Sequence, residues 1–174
     1  MTKKLLRTGI VVASVLAASA CGNKPQDQAS ALQSYVDRQA IETTLVRYST
    51  GLDTFDADIY ASAFSEDAEF EMEGKTFRGR DEIRKIIVDM KEGRAARAAD
   101  SDPANDPPPS MHHVLTNAVI DIVAPDTARH HAYWMTVSGG PEMYNFRIAA
   151  QGRYEDELVK RDGQWLIHRR KIMN

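Results

Sequence analysis

In the stretch VRYSTGLD, residues 46–53, a phenol and a carboxylate stand five positions apart as Tyr48 and Asp53. Ile41, Leu45, Tyr48 and Leu52 recur at three- and four-residue spacing, so Tyr48 belongs to the face that a helix turns to a core, and Asp53 follows directly. All five histidines lie in the second half of the chain, four of them as the pairs His112-His113 and His130-His131. A phenol can donate to a developing oxyanion, a carboxylate can orient an imidazole, and an imidazole moves protons near neutral pH. Together these residue types would do general acid–base chemistry. Both pairs fall in strand-like sequence, where neighbours face opposite sides. Each pair therefore offers one imidazole to a given face, and periodicity leaves the choice between His112 and His113 open. Each residue also has a purely structural use: Tyr48 as core, Asp53 as the cap of a following helix, a histidine as a satisfied interior group.

The elements that must position these groups change period along the chain. A helix is expected from about Leu32 to Leu52, then a short second helix capped by Asp56 that buries Ile59, Ala63 and Phe64 and carries Tyr60. Ala68, Phe70 and Met72 alternate with glutamates in the two-residue rhythm of a half-buried strand. Gly74 turns it back into a return strand, KTFRG. Asp81 opens a third helix with Ile83, Ile86, Ile87 and Met90 on one face. Residues 93–110 contain four prolines and almost no large apolar side chain, so they read as a mobile loop or lid. Four strands follow, near 111–123, 128–138, 145–159 and 164–172, separated by turns at Pro125-Asp126, Gly139-Gly140-Pro141 and Asp162-Gly163. Three helices with a long, curved, mostly antiparallel sheet make an α+β domain, a cone whose concave face is a pocket with an apolar floor.

The amino-terminal residues read as an export leader. Lys3, Lys4 and Arg7 precede an apolar run, and Ala18-Ser19-Ala20 stands before Cys21 like a lipobox, which makes residues 1–20 a signal and Cys21 a lipidation site. Cys21 is the only cysteine, so no disulfide can staple the domain, and burial must hold it together. Residues 21–31 would then be a polar tether, and residues 32–174 one domain facing the periplasm from the cell envelope. Without the leader's three positive charges the formal charge falls from −3 to −6, which disfavours nucleic acid as a partner.

The segments IETTLVRYSTGLD, YASAFSEDAEFEMEGKTFRGRDEI, HHVLTNAVIDIVAPDTA and GRYEDELVKRDGQWLIHRR, in this order and spacing, resemble the SnoaL-like branch of the nuclear transport factor two-like superfamily, which includes scytalone dehydratase and a bile-acid dehydratase. The resemblance spans residues 35–172 and implies a cone-shaped α+β barrel. It carries a catalytic tyrosine and aspartate onto Tyr48 and Asp53 and a catalytic histidine onto His113, while a further acidic residue of the family falls on Thr136. In that trio Asp53 would hold one nitrogen of His113 and leave the other to take a proton from carbon, while Tyr48 would meet the enolate oxygen. Ketosteroid isomerase, which resembles this fold, uses a tyrosine in that way.

The resemblance implies a cofactor-independent dehydratase or isomerase acting on a hydrophobic, polycyclic or aromatic carbonyl compound. Its rival is a non-catalytic binding or assembly module at the envelope. Trp134 shares strand parity with Thr136, so both would line the pocket for substrate along with Tyr60. Arg170, matching a frequent family arginine, would bind an anionic substrate group. No recognised metal-ligand spacing occurs, and no cysteine–histidine pair, glycine elbow or phosphate loop speaks for nucleophilic catalysis. A small hydrophobic ligand and, by the family's habit, a homodimer or trimer complete the expected partners.

Overall fold

The computed structural model describes residues 25–99, 110–139 and 146–173. Helix α1 (Pro25–Thr54) and the short α2 (Ala57–Ser62) lead into strands β1 (Phe64–Met72) and β2 (Lys75–Arg78). Helix α3 (Gly79–Ala99) and strands β3 (Ser110–Ala124), β4 (Thr127–Gly139), β5 (Phe146–Arg161) and β6 (Gln164–Met173) follow. The strands form one open sheet in the order β2-β1-β6-β5-β4-β3, antiparallel except where β1 runs beside β6. The fold is the expected α+β type, with the helices packed over one face of a sheet whose edges are β2 and β3.

The core follows the patterns in the sequence. Ile41, Leu45, Tyr48 and Leu52 from α1 meet Ile83 and Ile87 from α3 and the inward residues Phe64, Ala68 and Phe70 of β1. Burying side chains of this size is worth roughly 1.5–3 kcal/mol each, which holds the helices to the sheet. Polar fasteners set their angle: Thr44 donates to the carbonyl of Trp165 at 2.7 Å, and the buried Asp37 accepts from the Trp165 indole at 2.9 Å and Lys160 at 2.6 Å. Gly51 lets α2 approach closely, since a β-carbon there would collide with the Tyr60 backbone nitrogen.

Two expected boundaries and one expected buried side chain change. Residues 25–31, read as tether, are exposed turns of α1, and Leu32 at the expected start of the domain is itself exposed. Residues 93–99 are the last turns of α3 rather than the start of a loop, because the alanines of GRAARAA favour helix by their own propensity. The remainder of that expected loop, residues 100–109, lies outside the described residues, as do residues 1–24. In α2 the inward side chains are Tyr60 and Ala61, whereas Ile59 is 38 % exposed; a helix of six residues has one inward turn, and its Asp56 cap rotates Ile59 out of it.

Bulges decide which way the site residues of β3 face. Between Thr116 and Val119 the β3–β4 register shifts, with Asn117 at φ 53°. Before this bulge the inward residues are odd-numbered, Met111, His113 and Leu115; after it they are even-numbered, Ile120 and Ile122. A regular strand that buried Ile120 would have turned His112 inward instead.

Candidate active site

The cap of α2 settles what Asp53 is free to do. Asp56 accepts from the backbone nitrogens of Asp58 and Ile59, at 3.0 and 2.9 Å, so Asp53 is left to point across to β3. There its carboxylate accepts from the His113 backbone N–H at 3.0 and 3.1 Å and stands 2.6 Å from the ring Nδ1. With Nδ1–H donating to Asp53, the other ring nitrogen, Nε2, is the acceptor, and it lies 3.2 Å from the Thr136 hydroxyl. Thr136 reaches it because His113 and Thr136 are direct cross-strand partners on β3 and β4. The three side chains thus form a carboxylate–imidazole–hydroxyl chain.

This chain stands on the wall of a cavity of about 570 Å³, a volume suited to a small-molecule ligand. Leu52, Phe70, Met72, Ile86, Met90, Met111 and Ile172 supply the apolar surface, and Tyr48, Tyr60 and Tyr154 bring three phenols to it. The Tyr48 ring lies 4.9 Å from that of Tyr60 and 5.8 Å from that of Tyr154. Burial, reinforced by the neighbouring Tyr48 phenol, pushes the Tyr60 and Tyr154 hydroxyls well above the ordinary tyrosine range, so both keep their protons as hydrogen-bond donors. Trp134 stacks on Tyr154 at 5.6 Å and 17°, and lies 6.2 Å from the His113 ring. Its indole fits because its cross-strand partner is Gly152, where a β-carbon would come within 2.9 Å of the indole nitrogen.

Arg170 departs from its expected place. It does not line the cavity; it is 0 % exposed, with Nε and Nη2 on the two oxygens of Asp156 at 2.7 and 2.6 Å and its guanidinium 4.0 Å from the Tyr48 ring and 4.3 Å from the Tyr154 ring. Asp156 pairs with two of its nitrogens, while Nη1 is buried without a hydrogen-bond partner among the described residues, so Arg170 lies under the cavity floor rather than on the wall that a substrate would touch. His130 completes the row across β4, β5 and β6, with Nδ1 2.6 Å from Asp156, so the second histidine pair contributes nothing to the cavity. Burial alone would raise the Asp156 carboxyl, but the Arg170 charge and the bonds from Arg170 and His130 outweigh it and hold it below the usual range. Burial opposes the Arg170 charge, and Asp156 reverses that and raises it.

Tyr48, Asp53, His113, Tyr60, Trp134 and Thr136 therefore gather at one place, whereas Arg170 lies beneath them and Cys21 is outside the described residues. Sequence reading passed over Tyr154 and Asp156. Their alternation with Leu158 in GRYEDEL was the available signal, since three even-numbered residues on one face include an acid that a buried face must neutralise. A larger depression of about 900 Å³ lies on the other face of the sheet, among Arg129, Arg153, Glu155, Glu157, Arg169 and Lys171. It is lined by charges of both signs and lacks the apolar and aromatic wall of the smaller cavity. Among the described residues no group of acids, histidines or cysteines could hold a metal ion, and no helix is long and apolar enough to cross a membrane.

Comparison with known proteins gives the geometry a context. The SnoaL-like domain family model matches residues 33–171. A candidate scytalone dehydratase from Novosphingobium aromaticivorans is 25 % identical, with a TM-score of 0.60 over 80 % of this chain and 85 % of that one. An NTF2-like protein with a cystatin-like fold from the same organism is 23 % identical, with a TM-score of 0.67 over 86 % and 89 %. A third Novosphingobium structure, a candidate aromatic ring hydroxylase, is 24 % identical at 0.61 over 80 % and 89 %. No match was found among the curated proteins.

Proposed function

The chain belongs to the SnoaL-like domain family, and from that premise we propose that it is a cofactor-independent dehydratase or isomerase for a hydrophobic, polycyclic or aromatic carbonyl compound. One observation carries the reading: the Asp53–His113 bond of 2.6 Å, which leaves Nε2 as an acceptor on the wall of an apolar cavity. Asp53 fixes the tautomer. His113 Nε2 takes the proton next to the carbonyl, and the electron pair moves onto the carbonyl oxygen, where the Tyr48 phenol donates to it. The proton then returns to another carbon, as in an isomerase, or leaves with a hydroxyl group as water. The flat Trp134 indole and the methionines Met72, Met90 and Met111 suit a rigid apolar skeleton.

The rival reading, a non-catalytic binding or assembly module, draws on Thr136. It stands where the resemblance places an acid, and it occupies the very lone pair that the base must offer. To the same proposal belong export to the cell envelope, lipidation of Cys21 as the membrane attachment, and assembly as a homodimer or trimer.

The test is a panel of steroid and aromatic ketones offered to wild type and His113→Ala. Binding is read by Trp134 fluorescence, and chemistry by solvent deuterium entering the position next to the carbonyl, by loss of water, or by double-bond migration. Turnover that vanishes in the variant is the expected result. Equal binding by both proteins with no product in either would leave a carrier whose polar chain is structural.

A further inference from the structure

We propose that the same cavity also hydrolyses hydrophobic esters, with Thr136 as the nucleophile. The inference shares Asp53 and His113 with the proton-transfer reading but asks a different reaction of them.

The order hydroxyl, imidazole, carboxylate is the arrangement by which hydrolases activate an alcohol, and it is recognised by geometry and roles rather than by chain order. Here Thr136 Oγ1 lies 3.2 Å from His113 Nε2, and His113 Nδ1 lies 2.6 Å from Asp53. The contact is not incidental, because the β3–β4 ladder makes His113 and Thr136 partners, and a β-branched side chain has few rotamers through which to leave it. Thr136 is 6 % exposed yet lines the cavity, so its hydroxyl faces a bound molecule rather than bulk water. Met72, Ile86 and Met90 supply the apolar wall that an acyl chain or aryl group would fill.

The reaction closes without a cofactor. Thr136 Oγ1 bonds to the ester carbonyl carbon as its proton passes to Nε2, and the carbonyl π pair moves to the oxygen. The Tyr48 phenol, which lines the same cavity, is the donor offered to that oxyanion. When the oxyanion collapses, the bond to the alcohol oxygen breaks, and the alcohol leaves with the proton from Nε2. Water, deprotonated by Nε2, then attacks the Thr136 ester and releases the carboxylic acid, restoring the hydroxyl.

The experiment offers the purified protein p-nitrophenyl acetate, butyrate and octanoate, follows p-nitrophenol release, and maps covalent adducts by mass spectrometry of acid-quenched samples. Expected are faster release from the longer esters than from acetate, and an acyl group on Thr136. Thr136→Val should lower kcat/KM about 10²-fold, and Thr136→Ser should restore it. Release no faster than in buffer, an adduct only at other residues, or a folded Thr136→Val protein within about twofold of wild type would each overturn the inference. Deuterium exchange into a bound ketone, measured on the same wild-type preparation, separates the two readings. Exchange without ester turnover sinks this inference alone, and ester turnover without exchange sinks the proton-transfer reading alone.

Discussion

The protein holds two histidine–aspartate pairs of the same bond length and opposite character. Asp53–His113 and Asp156–His130 both join a ring Nδ1 to a carboxylate at 2.6 Å. The first stands on the cavity wall and hands its Nε2 to a hydroxyl. The second is sealed, with both side chains 0 % exposed, and its aspartate is also bound by Arg170. A hydrogen-bonded imidazole is therefore no sign of chemistry by itself. What separates the two pairs is whether a ligand can reach the far nitrogen, and whether the carboxylate serves the histidine alone or must also neutralise a buried cation.

The largest effect should come from breaking the sealed pair. Asp156→Leu strands the Arg170 guanidinium inside the fold, and urea unfolding should show a loss of about 3–5 kcal/mol. At the open pair the cost should fall on rate instead. Asp53→Asn should lower proton transfer or ester turnover about 10²–10³-fold, equivalent to roughly 3–4 kcal/mol of barrier, while stability falls by about 1 kcal/mol. If Asp53→Asn unfolds the protein as Asp156→Leu does, the contrast between the pairs is wrong.

A change at Trp134 should be milder and should sharpen the same contrast, because this residue belongs to the open site only. Trp134→Phe keeps an aromatic ring but loses area against Tyr154, so ligand affinity should fall by about 1 kcal/mol, near fivefold, with the unfolding midpoint little moved.

Acid should act last and through the interior. The carboxyls of Asp156 and Asp37 are held low: burial raises each, and Arg170 and His130 in one case, Lys160 and Trp165 in the other, overcome it. A carboxyl lowered on folding contributes stability that is complete above its unfolded value of about 4 and is lost as pH falls through the folded value. Unfolding free energy should thus lose this contribution only below about pH 4, and Asp37→Asn should reduce that acid slope. A slope unchanged in the variant would remove Asp37 from the account.

Much of this was legible along the chain because it depends on local rules. The spacing of Ile41, Leu45, Tyr48 and Leu52, the glutamate alternation of β1, the Asp56 cap and the turns at Pro125-Asp126 and Asp162-Gly163 all reappear where periodicity and turn chemistry put them. The helical turns at 93–99 were misread because the prolines just beyond them outweighed a run of alanines that is helix-forming by itself. His113 was within reach only through resemblance, since counting by twos from Ile120 selects His112, and the bulge at Asn117 that reverses the count leaves no reliable mark in one sequence.

The sequence by itself determined the α+β class, the helix that carries Tyr48 and Asp53, and the strand parity that joins Trp134 to Thr136, because these follow from side-chain periods of 3.6 and 2. Only the tertiary structure decided that Asp53 meets His113 across 60 residues, that Thr136 closes the chain, and that Arg170 pairs with Asp156 beneath the cavity instead of lining it. Those outcomes rest on strand register and on which charges burial forces together, and both are properties of the assembled sheet rather than of any stretch within it.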